Sequence, residues 1–463
     1  MNGGDGMEES RQHMTFKTFC ILAMCILYIF SFFLPYPFIR IILAIITILV
    51  FIYSCYQAKP FFKVISLLML SAGFCLTIIT GKGLEGIQAG IISNVPLLTL
   101  IILVPLIAIP LKVGRYLQAC HYYIEKFISK PKLLFANLTT FLFLFGPVLN
   151  IGTIRLLDDV VQKFTISPKL LAKGYLTGFS TVVLWSPYFA SVGLVTHYLH
   201  ISIVSYFAIS IPFAILQLIV ANFLFQFTAR NQDLQIEQGP IHSITSSHDR
   251  KKIWGLLIIV FTLMCSVLFL ERLTHWPMLL LVSIISLLFP LGWIIFSKRK
   301  RLFAQHLFQF RNQSLLQMDN EIVMFISAGL FGASLTGTDF AETIGNMMNT
   351  ISSVSFLLFI LVTILSFITL TLIGFHPIIF VIPVISQVDP IVIGTTPEVV
   401  AIIFMLSWSL SAVISPINPL NILVSSLVKK KSSVVGLKWN GKFVITILLI
   451  GILYIYFVQN VLV

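Results

Sequence analysis

Long apolar stretches, separated by short polar connections, run along the chain from Phe16 almost to its last residue. A bilayer core of about 30 Å requires roughly 20 apolar residues in a helix. Eleven stretches come near that length: 16–34, 39–55, 61–80, 91–109, 171–194, 201–225, 253–270, 276–296, 322–335, 401–424 and 443–458. The pattern predicts an all-α integral membrane protein with about 11 transmembrane helices.

Two further apolar segments are interrupted near their middle by Gly and Pro. They are residues 133–160, which contain FLFLFGPVLNIGTIR, and residues 355–387, which contain LTLIGFHPIIFVIPV. Irregular backbone at membrane depth is tolerated only inside protein or beside a watery cavity. We therefore expect two re-entrant hairpins whose tips mark a site. A pair of Pro-kinked spanning helices is the alternative.

The composition agrees with a membrane protein, because 58% of the residues are hydrophobic and only 10% are charged, whereas soluble domains carry about 25% charged residues. The lipid bilayer is therefore the expected environment. The 30 Lys and Arg are spread along the chain, which gives no continuous basic stripe and no expectation of nucleic-acid binding. The six cysteines lack paired spacing, which excludes a disulfide framework or a zinc site as the organising feature.

The bases concentrate in three connections, at residues 112–132, 298–311 and 429–442. Cytoplasmic loops carry an excess of Lys and Arg, so these connections are expected on the inner side of a cell (cytoplasmic) membrane. If both hairpins return to the side from which they enter, the N-terminus of this multi-pass chain is cytoplasmic and the C-terminus external. No small-residue cleavage site follows the first apolar stretch, which favours a retained anchor over a signal peptide.

An internal repeat is visible at an offset of 229 residues. It pairs Pro168 with Pro397, Ser180 with Ser409, Ser186 with Ser415 and Pro187 with Pro416. In both copies a hairpin precedes, with Gly146 or Gly374 lying 22 or 23 residues before the first proline. Lysines follow the second copy but not the first, so the copies are expected to run in opposite directions. This predicts an inverted-topology repeat with broken helices.

The predicted domain organisation follows from these features. Residues 1–110 form N-terminal scaffold helices, and 111–225 the first repeat, with its hairpin at 133–160 and its broken helix at 171–194. Residues 226–252 form a cytoplasmic linker, and 253–320 contain scaffold helices and a basic cytoplasmic loop. Residues 321–463 form the second repeat and the last helix, with the hairpin at 355–387 and the broken helix at 401–424.

This order of features resembles the ion transporter superfamily, and especially the divalent anion:sodium symporters, over most of the chain beyond about Lys112. In that family each hairpin carries a Ser-Asn-Thr tip followed by Leu-Pro, and each broken helix has a Pro-rich, Asn-containing break. GFHPIIFVIPVIS resembles the second hairpin and SAVISPINPLNIL the second break, while GPVLNIGTIR and WSPYFAS are more distant counterparts in the first half. Neither tip is Ser-Asn-Thr, so the family's dicarboxylate recognition and paired sodium sites do not transfer intact.

The resemblance and the helix breaks together define a predicted site. The expected substrate-binding residues are Asn150, Thr153, Arg155, Ser186, Pro187, Gly374, His376, Pro377, Ser415, Pro416, Asn418 and Asn421. The expected cation-coupling residues are Asn150, Thr153, Ser186, Ser415 and Asn418. Na⁺ or H⁺ is the expected coupling ion, and no catalytic residue, metal site or further cofactor is expected.

Several of these residues have a second interpretation. Arg155 can bind a substrate carboxylate, or it can reach the membrane surface and pair with Asp158 or Asp159. His376 can couple protons or cap a helix end, and the serines before the prolines can bind ligand or satisfy carbonyls freed by the kink. Asn418 and Asn421, two amides in an apolar context, favour a ligand role.

The sequence favours a secondary active transporter of a small organic or inorganic anion, coupled to Na⁺ or H⁺. The resemblance implies elevator-like alternating access and a homodimer. A cation/proton antiporter is a second interpretation, disfavoured because acidic residues are scarce within the apolar segments. A membrane-embedded enzyme such as a glycan polymerase or ligase is a third, disfavoured because the external connections are short.

Overall fold

The computed structural model of the chain describes residues 4–114, 116, 130–162, 164, 166–230 and 247–462. Of the predicted linker 226–252, residues 231–246 lie outside this part, and its described ends belong to helices rather than to a loop. Much of the first basic connection, residues 117–129, also lies outside it. All regular structure within the described ranges is helical.

The described helices follow one another in this order. The first six are α1 Gly4–Phe33, α2 Pro37–Gln57, α3 Pro60–Ile79, α4 Gly83–Ile92, α5 Val95–Leu103 and α6 Ala108–Val113. The next eight are α7 Pro131–Leu149, α8 Gly152–Val161, α9 Pro168–Val183, α10 Ala190–Tyr198, α11 Ile203–Arg230, α12 Ser247–Thr274, α13 Met278–Phe296 and α14 Lys300–Gln309. The last eight are α15 Asp319–Leu335, α16 Asp339–Val354, α17 Phe356–Ile373, α18 Pro377–Ile385, α19 Pro390–Ile393, α20 Pro397–Ile414, α21 Pro419–Leu427 and α22 Asn440–Leu462.

Four short irregular turns supplement these helices. They are the 3₁₀ turns Val104–Ile107 and Leu315–Gln317 and the π-helical turns Phe310–Ser314 and Val434–Trp439.

Eleven helical segments of the described chain are long and apolar enough to cross a membrane, or up to 12 if a bent pair counts as one span. The predicted fold class, an all-α membrane protein with about 11 transmembrane helices, is confirmed. The membership of the set differs in part, because α7 and α17, the first arms of the two hairpins, reach 19 and 18 residues. The predicted span 171–194 instead consists of α9 and α10, with 16 and 9 residues.

The region around residue 336 also differs from expectation. Residues 336–350 lie between the predicted span 322–335 and the predicted second hairpin, and most of them belong to α16, which bends away from α15 by 85°. The polar residues Asp339 and Glu342 lie in the first turn of this helix. Negative side chains are favourable at a helix N-terminus, which explains why the sequence turns helical there.

The chain divides into two compact units. Unit 1 comprises Met1–Pro110, Leu279–Met347 and Ile378–Val388, and unit 2 comprises Leu111–Met278, Met348–Pro377 and Asp389–Val463. The second hairpin is thus shared, since α17 lies in unit 2 and α18, from Ile378 onward, in unit 1.

In unit 1, α15 packs closely against α3 and α4. A β-carbon added at Gly90 would lie 2.7 Å from Leu330 Cδ1, and one added at Gly73 would lie 2.9 Å from Leu330 Cγ. The absence of side chains at these glycines therefore allows the helices to approach, as small residues do in membrane proteins. Asn94 adds a buried hydrogen bond from Nδ2 to the carbonyl of Phe325, at 2.9 Å.

Unit 1 also contains a buried ion pair. The ammonium group of Lys17 donates to Asp319 and to Gln57 Oε1, and Lys17 is only 1% exposed. It is the one acid–base ion pair found within the described ranges. A buried pair costs desolvation, so its removal one partner at a time is more damaging than its replacement as a whole.

In unit 2, α20 and α21 lie at the centre, and nearly all residues of α20 are buried. Helix α9 packs against α7 through Gly178, where an added β-carbon would lie 2.9 Å from both Thr139 Cα and Leu142 Cδ1. Phe135 of α7 stacks on Phe225 of α11, with ring centroids 4.0 Å apart. These contacts fix the helices that carry the predicted site.

Candidate functional site

The tip of the first hairpin is formed by Asn150. Helix α7 runs through Gly146 and Pro147 and ends at Asn150, whose φ of +52° is unusual for a residue other than glycine. The Asn150 side chain accepts a hydrogen bond from the amide of Ile151 at 2.7 Å, and its carbonyl accepts one from the hydroxyl of Thr153 at 2.8 Å. The turn therefore lies at Asn150, four residues beyond Gly146, the residue that the repeat comparison pairs with Gly374.

The tip of the second hairpin has the same role for Gly374. Helix α17 ends there with φ +122° at Gly374, and the amides of Gly374 and Phe375 both donate to the carbonyl of Leu370. Positive φ at both tips makes Asn150, rather than Gly146, the counterpart of Gly374. Arg155 then lies five residues after its tip, whereas Pro383 lies nine residues after the tip at Gly374.

Each hairpin is joined to the broken helix of its own repeat by one serine. Ser186 Oγ donates to the carbonyl of Pro147 at 3.4 Å, and Ser415 Oγ donates to the carbonyl of Thr371 at 2.8 Å. The acceptors lie three residues before Asn150 and three before Gly374. The structure therefore repeats one contact in both halves, and both serines satisfy backbone carbonyls near a hairpin tip.

The second break is held together by Asn421. Its Nδ2 lies 3.1 Å from the carbonyls of Val413 and Ser415 and 3.2 Å from that of Ser432, and its Oδ1 accepts from Ser425 Oγ. The side chain is fully buried. Asn421 thus satisfies carbonyls that the break leaves without helical partners, and a ligand role for it stays a prediction.

Asn418 occupies a more open position at the same break. Its Oδ1 caps α21 by accepting from the amide of Leu420 at 3.0 Å, and the residue is half-buried between Pro416 and Pro419. Its side-chain Nδ2 forms no hydrogen bond with a described residue. A ligand that accepts a hydrogen bond can therefore use this group without disrupting the cap.

The first break contains buried donors that the sequence analysis did not select. Trp185, which is 9% exposed, packs against Phe143 and Phe207, yet its indole Nε1–H has no hydrogen-bond partner among the described residues. The hydroxyl of Ser191, in the first turn of α10, is also buried and has none there. No side chain caps the N-terminus of α10. A buried donor without a partner cannot be recognised from the sequence, because its neighbours are set by tertiary packing.

The two ionisable candidates lie apart from this pattern. Arg155 is exposed and forms no ion pair with Asp158 or Asp159. It lies close enough to the basic Lys112 for their like charges to interact. His376 is half-buried at the second tip, and Pro377, which follows it, begins α18. The pairing of Arg155 with a neighbouring acid, one of the two interpretations above, is therefore not what the structure contains.

Asp158 is a buried carboxylate in the first hairpin, where acidic residues are scarce. It is 2% exposed and accepts hydrogen bonds from the hydroxyl of Tyr175 at 3.2 Å and from the side chain of Gln162. The next residue, Asp159, is exposed. Asp158 is thus the buried acid of α8.

The two copies of the repeat meet at equivalent residues. Ser409 Oγ donates to the carbonyl of Ser180 at 3.0 Å, and these serines are the pair matched at an offset of 229. Ser180 Oγ in turn accepts from Gln217 Nε2 at 3.0 Å. Equivalent residues touch one another only near a symmetry axis, so the repeat axis passes close to this contact between α9 and α20.

All twelve residues of the predicted site belong to unit 2, where hairpin tips adjoin broken helices. This arrangement defines a multi-pass, all-helical membrane protein with interrupted helices of the kind found in transporters. No sequence model of a known family and no curated protein matches the chain.

A solved structure does match. The chain is similar to the YdaH transporter of Alcanivorax borkumensis, whose crystal structure reveals an unusual topology, with a TM-score of 0.57 over 86% of this chain and 98% of that one. The sequence identity is 12%. The likeness establishes that this chain has the fold of a membrane transporter.

Proposed function

We propose that the protein is a secondary active transporter of a small organic or inorganic anion, coupled to Na⁺ or H⁺. The observation that carries the proposal is the first break. There the N-terminus of α10 has no side-chain cap, and two buried donors, Trp185 Nε1–H and Ser191 Oγ–H, have no partner among the described residues. The likeness of the whole chain to a solved transporter supports the same class.

The chemistry of this break favours an anion. The first amides of a helix lack intrahelical acceptors and carry partial positive charge, so they attract negative groups. A buried donor without a partner costs about 1–3 kcal/mol. An anion that accepts from the indole of Trp185 and the hydroxyl of Ser191 removes that cost, which supports binding at this position.

The breaks also supply oxygen atoms for a coupling cation. The hydroxyls of Thr153, Ser186 and Ser415 donate to carbonyls, and their oxygens retain lone pairs. Hydroxyl, amide and carbonyl oxygens near unwound helices are the ligands that Na⁺ uses in such folds. For H⁺ coupling, the buried carboxylate of Asp158 is the group that supports the proposal.

The wider arrangement extends this proposal. The paired contacts Ser186–Pro147 and Ser415–Thr371 support two copies of one unit, and the distribution of bases supports their inverted orientation in a cell membrane, with the N-terminus inside. The resemblance to divalent anion:sodium symporters adds elevator-like motion of a domain made of the hairpins and broken helices, and a homodimer.

The experiment measures uptake of labelled dicarboxylates, citrate, phosphate, sulfate and amino acids into proteoliposomes under an imposed Na⁺ or H⁺ gradient. The key variant is Trp185→Phe, which keeps the aromatic packing and removes the N–H. The matched control is Trp408→Phe, because Trp408 contacts Phe367 in α17 and lies outside the first break. Asn418→Ala tests the open amide and Arg155→Ala tests the guanidinium.

We expect accumulation of one anion under one gradient, with a KM about tenfold or more higher in Trp185→Phe and unchanged in Trp408→Phe. That size corresponds to one buried hydrogen bond to a charged acceptor. No accumulation of any anion under either gradient would reject the proposal. Equal KM values in the two tryptophan variants would remove the first break as its binding site.

A cation/proton antiporter is the second candidate, and the burial of Asp158 between Tyr175 and Gln162 is the observation that favours it. Proton efflux from the same vesicles on addition of Na⁺ or K⁺, abolished in Asp158→Asn, would select this candidate. The isosteric amide keeps one acceptor oxygen and removes the charge that a proton carrier requires.

A further inference from the structure

Unit 2 also contains a basic cavity of about 440 Å³. Four lysines contribute to its wall: Lys169, Lys173, Lys438 and Lys442. The remaining wall is mostly apolar and aromatic, and consists of Phe135, Thr177, Ala221, Leu224, Phe225, Phe227, Trp439, Asn440 and Phe443. No acidic residue is among them.

The lysines come from two distant parts of the chain. Lys169 and Lys173 lie one turn apart in α9, whereas Lys438 precedes α22 and Lys442 lies in its first turn. Lys169 and Lys442 are close enough to Lys173 for their charges to act on it. Among the described residues, none of the four lysines forms an ion pair with an acid. Like charges gathered in one cavity repel one another, and a bound anion relieves that repulsion.

The position of the cavity narrows the kind of anion. Phe225 and Phe227 end the candidate span Ile203–Phe227, and Lys438 and Lys442 begin the candidate span Val434–Leu462. The cavity therefore lies where these helices leave the hydrocarbon layer. Phe227, which is 54% exposed, and the neighbouring Leu437, which is 46% exposed, give its rim an apolar surface.

We infer that this cavity binds a phosphate group, with the headgroup of an anionic phospholipid as one source and a soluble phosphate as the other. Basic pockets between membrane helices attract phosphate headgroups, and each Lys near such a surface contributes measurably to the attraction. The aromatic wall around the four ammonium groups fits an amphipathic ligand. None of the residues predicted to bind the transported solute lines the cavity, so the inference does not rest on the transport proposal.

The experiment compares binding to the full-length protein purified in neutral detergent. One arm adds phosphatidylglycerol or, as a zwitterionic control, phosphatidylcholine, and counts bound lipid by native mass spectrometry. The other arm titrates inorganic phosphate calorimetrically in the absence of added lipid. Each arm uses the wild type and the double variant Lys173→Gln with Lys442→Gln.

Two further variants make the result specific. Lys298→Gln with Lys300→Gln removes the same charge from an exposed basic segment of unit 1 that does not line the cavity. Ala221→Trp fills the cavity without changing its charge, since Ala221 is a buried residue of its wall. Variants are compared only if they elute as single symmetric peaks with wild-type helical content.

We expect the Lys173/Lys442 variant and Ala221→Trp to weaken binding about tenfold or more, and the Lys298/Lys300 variant to bind like the wild type. Loss confined to phosphatidylglycerol identifies the lipid as the source, and loss confined to inorganic phosphate identifies a soluble ligand. Binding in neither arm, or equal binding by all four proteins, would overturn the inference. Transport is not the readout, so this failure would be distinct from failure of the proposed function.

Discussion

The replacement of Asn421 by alanine tests the structural explanation of the second break. The substitution removes an amide that lies within 3.2 Å of three main-chain carbonyls, those of Val413, Ser415 and Ser432. It also removes the acceptor of the Ser425 hydroxyl. The expected result is a large loss of folding free energy, because the Asn421 side chain is fully buried and the break interrupts the helical hydrogen bonds around it.

The size of the loss follows from the number of hydrogen bonds. The amide has two hydrogens, so it supplies two full donors to the three carbonyls, and its oxygen supplies one acceptor. A buried group left unsatisfied costs about 1–3 kcal/mol, while side-chain hydrogen bonds in membrane proteins average about 0.6 kcal/mol. Three lost interactions between these limits give about 2–5 kcal/mol.

Asn418→Ala is the matched control because it removes the same side chain at the same break. Only the cap of Leu420 is lost there, and a cap is worth about 1 kcal/mol. Asn421→Asp is expected to be at least as damaging as Asn421→Ala, because it points a carboxylate at three carbonyl oxygens.

The assay is reversible unfolding in mixed micelles of dodecylmaltoside and SDS, followed by tryptophan fluorescence and helical content. The free energies of the wild type and the three variants are compared at the same micelle composition. If Asn421→Ala loses no more free energy than Asn418→Ala, the carbonyls have other partners and the reasoning is refuted.

Three further predictions concern packing, charge and backbone conformation. Gly178→Ala places a β-carbon 2.9 Å from the main chain of α7 and is expected to cost about 1–3 kcal/mol, while Gly292→Ala, with nothing within 4 Å, stays within about 0.5 kcal/mol; thermal unfolding in detergent measures both. Lys17→Met leaves the buried carboxylate of Asp319 without its cation and is expected to cost about 3–5 kcal/mol of folding free energy, most of which the additional substitution Asp319→Leu restores. A double-mutant cycle in the same unfolding assay tests this, and additive losses of folding free energy would contradict it. Asn150→Gly is expected to keep wild-type stability because glycine adopts a φ of +52° without strain, whereas Asn150→Val is expected to lose about 1–3 kcal/mol of folding free energy. Normal uptake by the glycine variant would exclude the side-chain amide of Asn150 as a ligand.

The number of spanning segments was predictable because bilayer thickness fixes the length of an apolar helix. The serine-proline breaks were predictable for a similarly local reason, since proline removes a donor and displaces the carbonyl four residues before it. Ser186 and Ser415 were recognised as candidates on this ground. What the sequence left open was whether they bind ligand or carbonyl, and the structure places both on carbonyls of their own hairpins.

The position of the first hairpin tip was not predictable from composition. Gly146 and Pro147 suggest a break. In the structure α7 continues through both residues to Leu149, although proline has no N–H to donate to the helix. The turn forms at Asn150, because asparagine is one of the few residues other than glycine that adopt positive φ. An asparagine followed by Ile-Gly is the local signal that was available.

The basic cavity and the orphaned indole were hidden for a different reason. Lys173 and Lys442 are 269 residues apart, so no local pattern in the sequence brings them together. Trp185 carries no local mark of its unpartnered donor, because hydrogen-bond satisfaction depends on the neighbours that tertiary packing supplies. Both features require knowledge of which helices lie side by side.

The contact between Ser180 and Ser409 has a consequence for how the protein can be observed. A single hydrogen bond between two equivalent residues has a direction, and here Ser409 donates and the carbonyl of Ser180 accepts. If the two copies exchanged conformations, the roles of the two serines would exchange as well. The direction of one bond on the repeat axis therefore distinguishes the two arrangements of the molecule, and isotope-edited infrared spectroscopy of the Ser180 and Ser409 carbonyls reads it directly.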